Sequence, residues 1–153
     1  MIVYRLCKRK FGNDLSGKGA EKSGGRWNSK GVAMIYTCES RALATAEIAV
    51  HIPLGTLPAD YELLTIEFPN KIKILTIKPT ILPDDWKTFP HPDATQRIGD
   101  KFVLGNKFLV MQVPSAVVDG DFNFLINPQH NEINKVKIVK REPFEFDKRL
   151  FRK

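Results

Sequence analysis

Short apolar runs bounded by proline, glycine or asparagine recur along this chain, and they predict a series of β-strands. The runs are MIVYRL at 1–6, VAMIYT at 32–37, YELLTIEF at 61–68, IKILTI at 72–77, KFLVMQVP at 107–114 and INKVKIVKR at 133–141. In the last run, the alternation of a strand would place Lys135 and Lys137 on one face. The aromatic residues of EPFEFDKRLF, at 142–151, are expected to anchor a C-terminal tail.

Two segments have helical character. RALATAEIAVHI, at 41–52, is rich in helix formers, follows Ser40 as a plausible N-cap and stops before Pro53 and Gly55. RIGDKFVLGN, at 97–106, predicts a second helix with Gly105 as a late cap. The proline-rich stretch before it, 79–96, is expected to wrap the surface. Strands dominate and one helix interrupts them early, so the sequence predicts a single α+β domain spanning 1–153.

Length and composition agree with one globular domain. The chain has 153 residues, of which 42% are hydrophobic and 27% charged, values that exclude intrinsic disorder. We expect no signal peptide and no membrane span, because no apolar run has the required length. Nothing favours an oxidising compartment, so Cys7 and Cys38 are interpreted as reduced thiols of a cytoplasmic protein.

The net charge of +7 favours a phosphate-bearing partner, such as a nucleic acid, a nucleotide or an acidic protein. The basic residues cluster near both ends, at 8–10 and at 135–141, which is also how an ordinary solvated surface would look. Nucleic-acid binding on an open sheet would need aromatic residues between the basic ones. That pattern is missing here, so no direct nucleic-acid binding is expected.

Six of the ten glycines fall within 12–31, which predicts a long irregular loop of functional importance. GKGAEKSGGRW is not a dinucleotide-binding GxGxxG, because Lys22 occupies the third glycine position and a strand follows. Within EKSGGRWNSKG, Arg26 offers a fork of donors suited to a phosphate or carboxylate. Trp27 either stacks on a ligand ring or pins the loop to the core.

Glu47 is the carboxylate whose position is least expected. At helical spacing it falls among Leu43, Ala46 and Val50, in the middle of the apolar face. A carboxylate there is costly unless it is paired or lines a cavity. A cleft-lining acid and a buried structural ion pair therefore remain the two interpretations.

Ser115, in VPSAVV at 113–118, follows a predicted strand end, where a hydrogen-bonding side chain could meet a ligand. No Gly-x-Ser-x-Gly elbow surrounds it, so it is a poor candidate for a hydrolase nucleophile. His51, His91 and His130 occur singly and no cysteine pair has ligand spacing, so we expect no metal site.

Taken in order, these motifs resemble the RES domain family, named for its arginine, glutamate and serine. The segments that carry the resemblance are YRL (4–6), SGKGAEKSGGRWNSKG (16–31), IYTCESRALATAEIAVH (35–51), VPSAVV (113–118), NFLINPQH (123–130) and FEFDKRLF (144–151). Between Asp60 and Phe108 the chain resembles the family in residue type more than in residue identity.

The resemblance implies an ADP-ribosyltransferase-like fold with an early catalytic helix. It also implies a bacterial toxin that depletes NAD⁺, its substrate, by phosphorolysis or hydrolysis, with inorganic phosphate as one candidate acceptor. It further implies a cognate antitoxin with an Xre-type helix-turn-helix region; the existence of a homodimer stays open. Carried over by position, Arg26, Glu47 and Ser115 would be the catalytic set. Arg5 and Tyr36 would join them in binding NAD⁺, with Tyr36 as a platform for nicotinamide.

The chemistry of NAD⁺ cleavage suits these residue types. Nicotinamide leaves as a neutral molecule through an oxocarbenium-like transition state, so arginines for the diphosphate, an aromatic face and a carboxylate suffice. Transfer of ADP-ribose to a protein would use the same site. An RNA-targeting basic toxin and a non-catalytic interaction domain are the alternatives from other classes.

Overall fold

A seven-stranded mixed sheet forms the centre of the protein in this computed structural model, which describes residues 1–152. The strand order is β4-β5-β6-β2-β1-β3-β7, and every neighbouring pair is antiparallel except β4 and β5. The strands are β1 (Ile2–Lys8), β2 (Ile35–Cys38), β3 (Tyr61–Glu67), β4 (Ile74–Thr76), β5 (Val110–Pro114), β6 (Phe122–Ile126) and β7 (Lys137–Phe144). The helices are α1 (Lys18–Ser23), α2 (Arg41–Ala49) and α3 (Asp93–Gly105). This architecture confirms the predicted α+β class.

Six of the seven strands coincide with predicted runs, and β6 was missed. Its sequence FNFLI is short and ends in three buried residues, so it lacks the alternation that would reveal a strand. The segment forms a strand because its backbone pairs with β5 on one side and with β2 on the other. The prediction that Lys135 lies in the last strand is also wrong. Lys135 ends a 3₁₀ turn, and β7 begins only at Lys137.

Helix α2 begins where the sequence predicts, because Ser40 caps it. The Ser40 hydroxyl accepts a hydrogen bond from the backbone N–H of Leu43 at 3.0 Å, which satisfies a donor that the first turn leaves unpaired. Helix α3 starts four residues earlier than predicted, at Asp93. Gly105 is its last helical residue, and Asn106, with φ of 49°, provides the left-handed turn after it.

The glycine-rich segment 12–31 was predicted to be an irregular loop, and this prediction is wrong in part. The segment contains the six-residue helix α1. Gly17 and Gly24 flank this helix with φ values of 70° and 69°, which residues with a Cβ rarely adopt. A Cβ on Gly17 would also lie 2.7 Å from the backbone nitrogen of Met34. The glycines that suggested a loop therefore enclose a helical turn packed against the chain before β2.

The C-terminal tail holds α2 against the sheet, as its aromatic residues predicted. Phe146 and Phe151 are buried and meet edge to face with ring centroids 5.5 Å apart. They share one apolar cluster with Leu43 of α2 and Leu63 of β3. This packing fixes the helix that carries Glu47.

The two basic clusters lie close together because β1, β3 and β7 are neighbours. Glu62 of β3 accepts hydrogen bonds from Nε and Nη2 of Arg141 at 3.0 and 2.7 Å, and Arg9 lies 4.0 Å away. Part of the positive charge is therefore neutralised within the fold. Cys7 and Cys38 are both buried and free. Within the described residues, no helix is both long and apolar enough to cross a membrane.

Candidate active site

A cleft of about 780 Å³ opens beside α2 and collects residues from distant parts of the chain. Its walls come from α2, from the segment after α1, from the proline-rich stretch and from the turn after β5. Its lining residues include Arg26, Tyr36, Glu47, His51, Phe89, His91, Val117 and Asn123. These four segments therefore surround one cleft although they are far apart in sequence.

Glu47 lines this cleft, and the structure decides between its two interpretations. Val50, on the face that was expected to be buried, is 58% exposed and lines the cleft with Glu47. Among residues 1–152, no cation lies within ion-pair distance of the Glu47 carboxylate. The apolar face of α2 thus borders a cavity at this point, and Glu47 is a cleft acid.

Two side chains hold the Glu47 carboxylate through one of its oxygens. The hydroxyl of Ser115 donates to Oε1 at 2.9 Å, and Nδ2 of Asn123 donates to the same atom at 2.6 Å. Hydrogen bonds to a charged acceptor are about twice as strong as neutral ones. The orientation of the carboxylate is therefore fixed, while Oε2 takes part in neither bond.

Ser115 is committed to this positioning. It lies directly after β5, is 2% exposed, and its hydroxyl accepts from the backbone N–H groups of Val117 and Val118 at 3.0 Å each. With two donors directed at it, the hydroxyl oxygen points its single proton at Glu47. This geometry suits a hydrogen-bonding side chain, the interpretation that the sequence favoured over a nucleophile.

Asn123 is the site residue that sequence reasoning missed. It lies in β6, opposite Cys38 of β2 and Val113 of β5, and this pairing brings it beside Glu47. Its Oδ1 is buried and has no hydrogen-bond partner among the described residues. The available signal was its place at the start of the NFLINPQH run.

Tyr36 forms one side of the cleft, and its hydroxyl is used to hold the neighbouring loop. The hydroxyl donates to Oδ1 of Asn28 at 2.7 Å and accepts from the backbone N–H of Trp27 at 3.0 Å. Burial raises the pKa of Tyr36 well above its usual range, so the hydroxyl stays protonated. A Cβ on Gly25 would lie 2.7 Å from this hydroxyl, which explains the second glycine of the Gly-Gly pair.

Asn28 organises the loop from inside. It is fully buried, and its Nδ2 donates to the carbonyls of Ala20 and Val32 at 2.8 and 2.9 Å. The same loop is fastened to α3, where Asp100 accepts from the N–H and the hydroxyl of Ser29 at 2.9 and 2.6 Å. The segment is therefore a fixed wall of the site.

Trp27 pins this wall to the core, one of the two roles expected for it. It is 2% exposed and packs against Trp86 with ring centroids 6.3 Å apart. Its carbonyl comes so close to α3 that a Cβ on Gly99 would lie 1.6 Å from the oxygen. The indole is thus unavailable for stacking on a ligand.

Arg26 lines the cleft and reaches the proline-rich stretch. Its Nη1 donates to the carbonyls of Trp86 and Thr88 at 2.5 and 3.0 Å, and Nη2 donates to that of Lys87 at 3.3 Å. Burial lowers the pKa of the guanidinium, against the opposing effect of Glu47. Three of its five N–H groups are used by backbone carbonyls, so two remain for a substrate.

Arg5 lines a second cavity, of about 380 Å³, which Glu47 also lines. This cavity shares Tyr36, Glu47, Ile48, His51 and Asn123 with the larger cleft, so the two spaces adjoin at the carboxylate. Nη1 of Arg5 donates to the carbonyl of Asp14 at 2.8 Å, which orients the side chain. All five predicted residues therefore either line a cavity that Glu47 also lines or, in the case of Ser115, contact Glu47 directly.

The histidines do not form a metal centre. Over residues 1–152, no group of three or more histidine, cysteine, aspartate or glutamate side chains is placed to hold an ion. His51 and His91 line the larger cleft, and burial, together with Arg26 and His51, lowers the pKa of His91. His130 lines neither cavity, and its Nδ1 accepts from the backbone N–H of Glu132 at 3.2 Å.

The fold of this chain has a counterpart among solved structures. The fold matches that in the crystal structure of the M. tuberculosis MbcT–MbcA toxin–antitoxin complex with a TM-score of 0.74, at 20% identity, over 98% of this chain and 86% of that one. The chain therefore has the fold of a small α+β bacterial toxin.

Sequence comparison gives the family. The RES domain matches residues 2–147, so the chain belongs to the RES domain family. The chain is 36% identical to the Prs ADP-ribosylating toxin of Sphingobium sp. (strain YBL2), over 92% of this chain and 89% of that protein. It is also 36% identical to Toxin Res of Yersinia enterocolitica, over 98% and 99% of the two chains. The resemblance noted in the sequence is confirmed.

Proposed function

We propose that this chain is the toxin of a bacterial toxin–antitoxin system and that it cleaves the bond between nicotinamide and ribose in NAD⁺. The observation that carries the proposal is the Glu47 carboxylate, which lines both cavities and is held through one oxygen by Ser115 and Asn123. Membership of the RES domain family and the names of the curated relatives support the same class.

The reaction needs charge stabilisation more than proton transfer. As the bond to the pyridinium breaks, its electron pair goes to nicotinamide, which leaves neutral, and positive charge develops on the ribose. A carboxylate fixed beside the anomeric carbon stabilises that charge without having to reorganise. Ser115 and Asn123 keep Glu47 in place, and its free Oε2 faces the ribose in this proposal.

The remaining residues bind and orient the substrate. The two N–H groups of Arg26 that the backbone leaves free, and the guanidinium of Arg5, would contact the diphosphate. The Tyr36 ring would support nicotinamide, since its hydroxyl is already held by the loop. No residue set suited to a metal is needed for these steps.

The acceptor of the ADP-ribose distinguishes two candidate functions. Phosphate or water would give a free product and deplete NAD⁺, which is the function we propose. A protein acceptor is the second candidate, and it is favoured by the name of the Sphingobium relative, an ADP-ribosylating toxin. Both would use the site around Glu47, so only the products separate them.

A toxin of this kind needs an inhibitor while it remains in the cytoplasm, where we place it. The structural match is to a toxin bound to its antitoxin, which supports a cognate antitoxin for this chain as well. We propose that this antitoxin has an Xre-type helix-turn-helix region. The gene should adjoin a small reading frame that encodes such a region. Co-expression of that protein should restore growth, and the protein should co-purify with the chain; failure of both would contradict the pairing.

Incubation of the purified protein with NAD⁺ tests the function directly. Mass spectrometry should show free nicotinamide with ADP-ribose in water, or with phosphorylated ADP-ribose when inorganic phosphate is present. NAD⁺ labelled in its adenylate part and mixed with cell lysate reports transfer to protein. Release of no nicotinamide under any of these conditions would refute the proposal, and added RNA serves as the test of an RNA-targeting toxin.

A further inference from the structure

The stretch of chain at 86–88 is held firmly against the wall of the larger cleft. Arg26 donates hydrogen bonds to three consecutive carbonyls there, at 2.5, 3.3 and 3.0 Å. Trp86 is 7% exposed and packs on Trp27, which anchors the start of the stretch. Lys87 also forms an ion pair with Asp119, in the turn between β5 and β6. The residues that follow are therefore presented in a fixed position.

Phe89 is the first of those residues, and it projects at the rim of the cleft. It lines the cleft yet is 75% exposed, the largest exposure among the bulky apolar side chains of the described residues. His91 packs against it at a right angle, with ring centroids 5.2 Å apart and planes at 87°, and most of the Phe89 side chain stays exposed beside this contact. Nδ1 of His91 is buried and has no hydrogen-bond partner among the described residues.

The place of Phe89 relative to Glu47 indicates what it would meet. Glu47 lines both cavities, whereas Phe89 lines only the larger one. If the ribose of nicotinamide lies at Glu47, the other half of the dinucleotide extends along the larger cleft past Arg26. The rim at Phe89 and His91 then faces the purine, a flat ring with nitrogen atoms at its edge.

We propose that Phe89 is the stacking surface for the purine base of the dinucleotide, and that Arg26 is a positioning residue that holds the backbone presenting it. The proposal rests on NAD⁺ as the substrate and adds a specificity-determining residue to it. An exposed aromatic ring gains by stacking on a base, and a ring fixed beforehand loses little freedom on binding.

Binding of two substrate fragments, followed by calorimetry, tests the stacking contact. ADP-ribose contains the purine, and nicotinamide mononucleotide lacks it. Replacing Phe89 by Ala should weaken ADP-ribose binding about tenfold and change the Kd for nicotinamide mononucleotide by less than about twofold, as expected for one lost stacking contact. Phe89→Trp should restore ADP-ribose binding. Ile81→Ala, at an apolar position of the proline-rich stretch that is 65% exposed and does not line the cleft, is the matched control.

A double-mutant cycle tests the role of Arg26. If Arg26 acts through the position of Phe89, Arg26→Ala should weaken ADP-ribose binding more in the wild-type background than in Phe89→Ala. Steady-state kinetics with NAD⁺ should show the Phe89→Ala effect in KM, with little change in kcat. Additive losses in the cycle would overturn the positioning role.

The outcomes separate this inference from the proposed function. Unchanged ADP-ribose binding by Phe89→Ala, in a protein that still cleaves NAD⁺, overturns the purine site and leaves the function standing. If Phe89→Ala weakens ADP-ribose binding but the wild-type protein releases no nicotinamide from NAD⁺, the purine site is supported and the cleavage reaction is refuted. Failure of the wild-type protein to bind ADP-ribose overturns the inference outright.

Discussion

Replacement of Glu47 by Gln isolates the charge of the carboxylate from its shape. In the wild-type protein both hydrogen bonds to Glu47 arrive at Oε1, from Ser115 at 2.9 Å and from Asn123 at 2.6 Å. A glutamine can keep its carbonyl oxygen in that position and so retain both bonds, with Nε2 taking the place of Oε2. The fold should therefore lose little stability, on the order of 1 kcal/mol or less.

The catalytic loss should be much larger. A unit charge about 4 Å from the developing positive charge contributes about 4 kcal/mol at an effective dielectric constant of about 20. Removal of that charge corresponds to a rate reduction of about 10³-fold. The effect should appear in kcat, because the positive charge on the ribose develops only in the transition state.

Nicotinamide release and thermal unfolding, measured on the same preparation, check this prediction. Glu39→Gln is the matched control, because Glu39 also lies near α2 and accepts one hydrogen bond, from the N–H of Phe122 at 2.8 Å. We expect near wild-type kcat from this control and about 10³-fold loss from Glu47→Gln. A folded Glu47→Gln protein with kcat within about fivefold of wild type would refute the electrostatic role.

Three further predictions concern other parts of the site and the core. Arg26→Lys should raise the KM for NAD⁺ nearly as much as Arg26→Ala, about tenfold, because a point charge cannot span three carbonyls and a phosphate; full affinity in the lysine variant would contradict this. Because burial raises the pKa of both thiols, Cys7 and Cys38 should react with a disulfide reagent at pH 8 about 100-fold more slowly in the native than in the denatured protein; rapid native reaction would disagree. His91 has a folded pKa below its unfolded value near 6.5, so its neutral form stabilises the fold above about pH 6.5 and that contribution falls as the pH drops below this value. Thermal unfolding between pH 7 and 5 should show this loss in the wild type and a smaller one in His91→Gln.

The sequence alone was sufficient for the start of α2 and for the placement of Glu47 on it, although the predicted helix ran to Ile52 and α2 ends at Ala49. Ser40 and the helix formers after it fix where the helix starts, and the helical period then determines which face carries the carboxylate. Ser115 could be placed at a strand end for the same reason, because Pro114 closes β5. These are local effects, in which residues close in sequence determine one another's conformation.

The partners of Glu47 and Arg26 could not be predicted in this way. Asn123 donates to Glu47 from 76 residues away, and Arg26 meets the carbonyl of Trp86 from 60 residues away. A backbone carbonyl carries no side-chain identity, so no residue pattern marks 86–88 as the acceptor of a guanidinium. The sequence predicted that the guanidinium of Arg26 would bind a phosphate or a carboxylate. In the folded protein, three of its N–H groups already donate to backbone carbonyls before any substrate binds.

The glycines around Arg26 have a consequence for how the site works. Gly25 and Gly99 are required because the chain is too closely packed for a Cβ, 2.7 Å from the Tyr36 hydroxyl in one case and 1.6 Å from the Trp27 carbonyl in the other. The Asn28 side chain fastens the same wall through the carbonyls on both sides of it. A wall built in this way is ordered before the substrate arrives, so binding loses little conformational freedom there. The glycine-rich sequence, which by composition indicates a flexible loop, thus serves to hold Arg26 and Tyr36 in fixed positions beside Glu47.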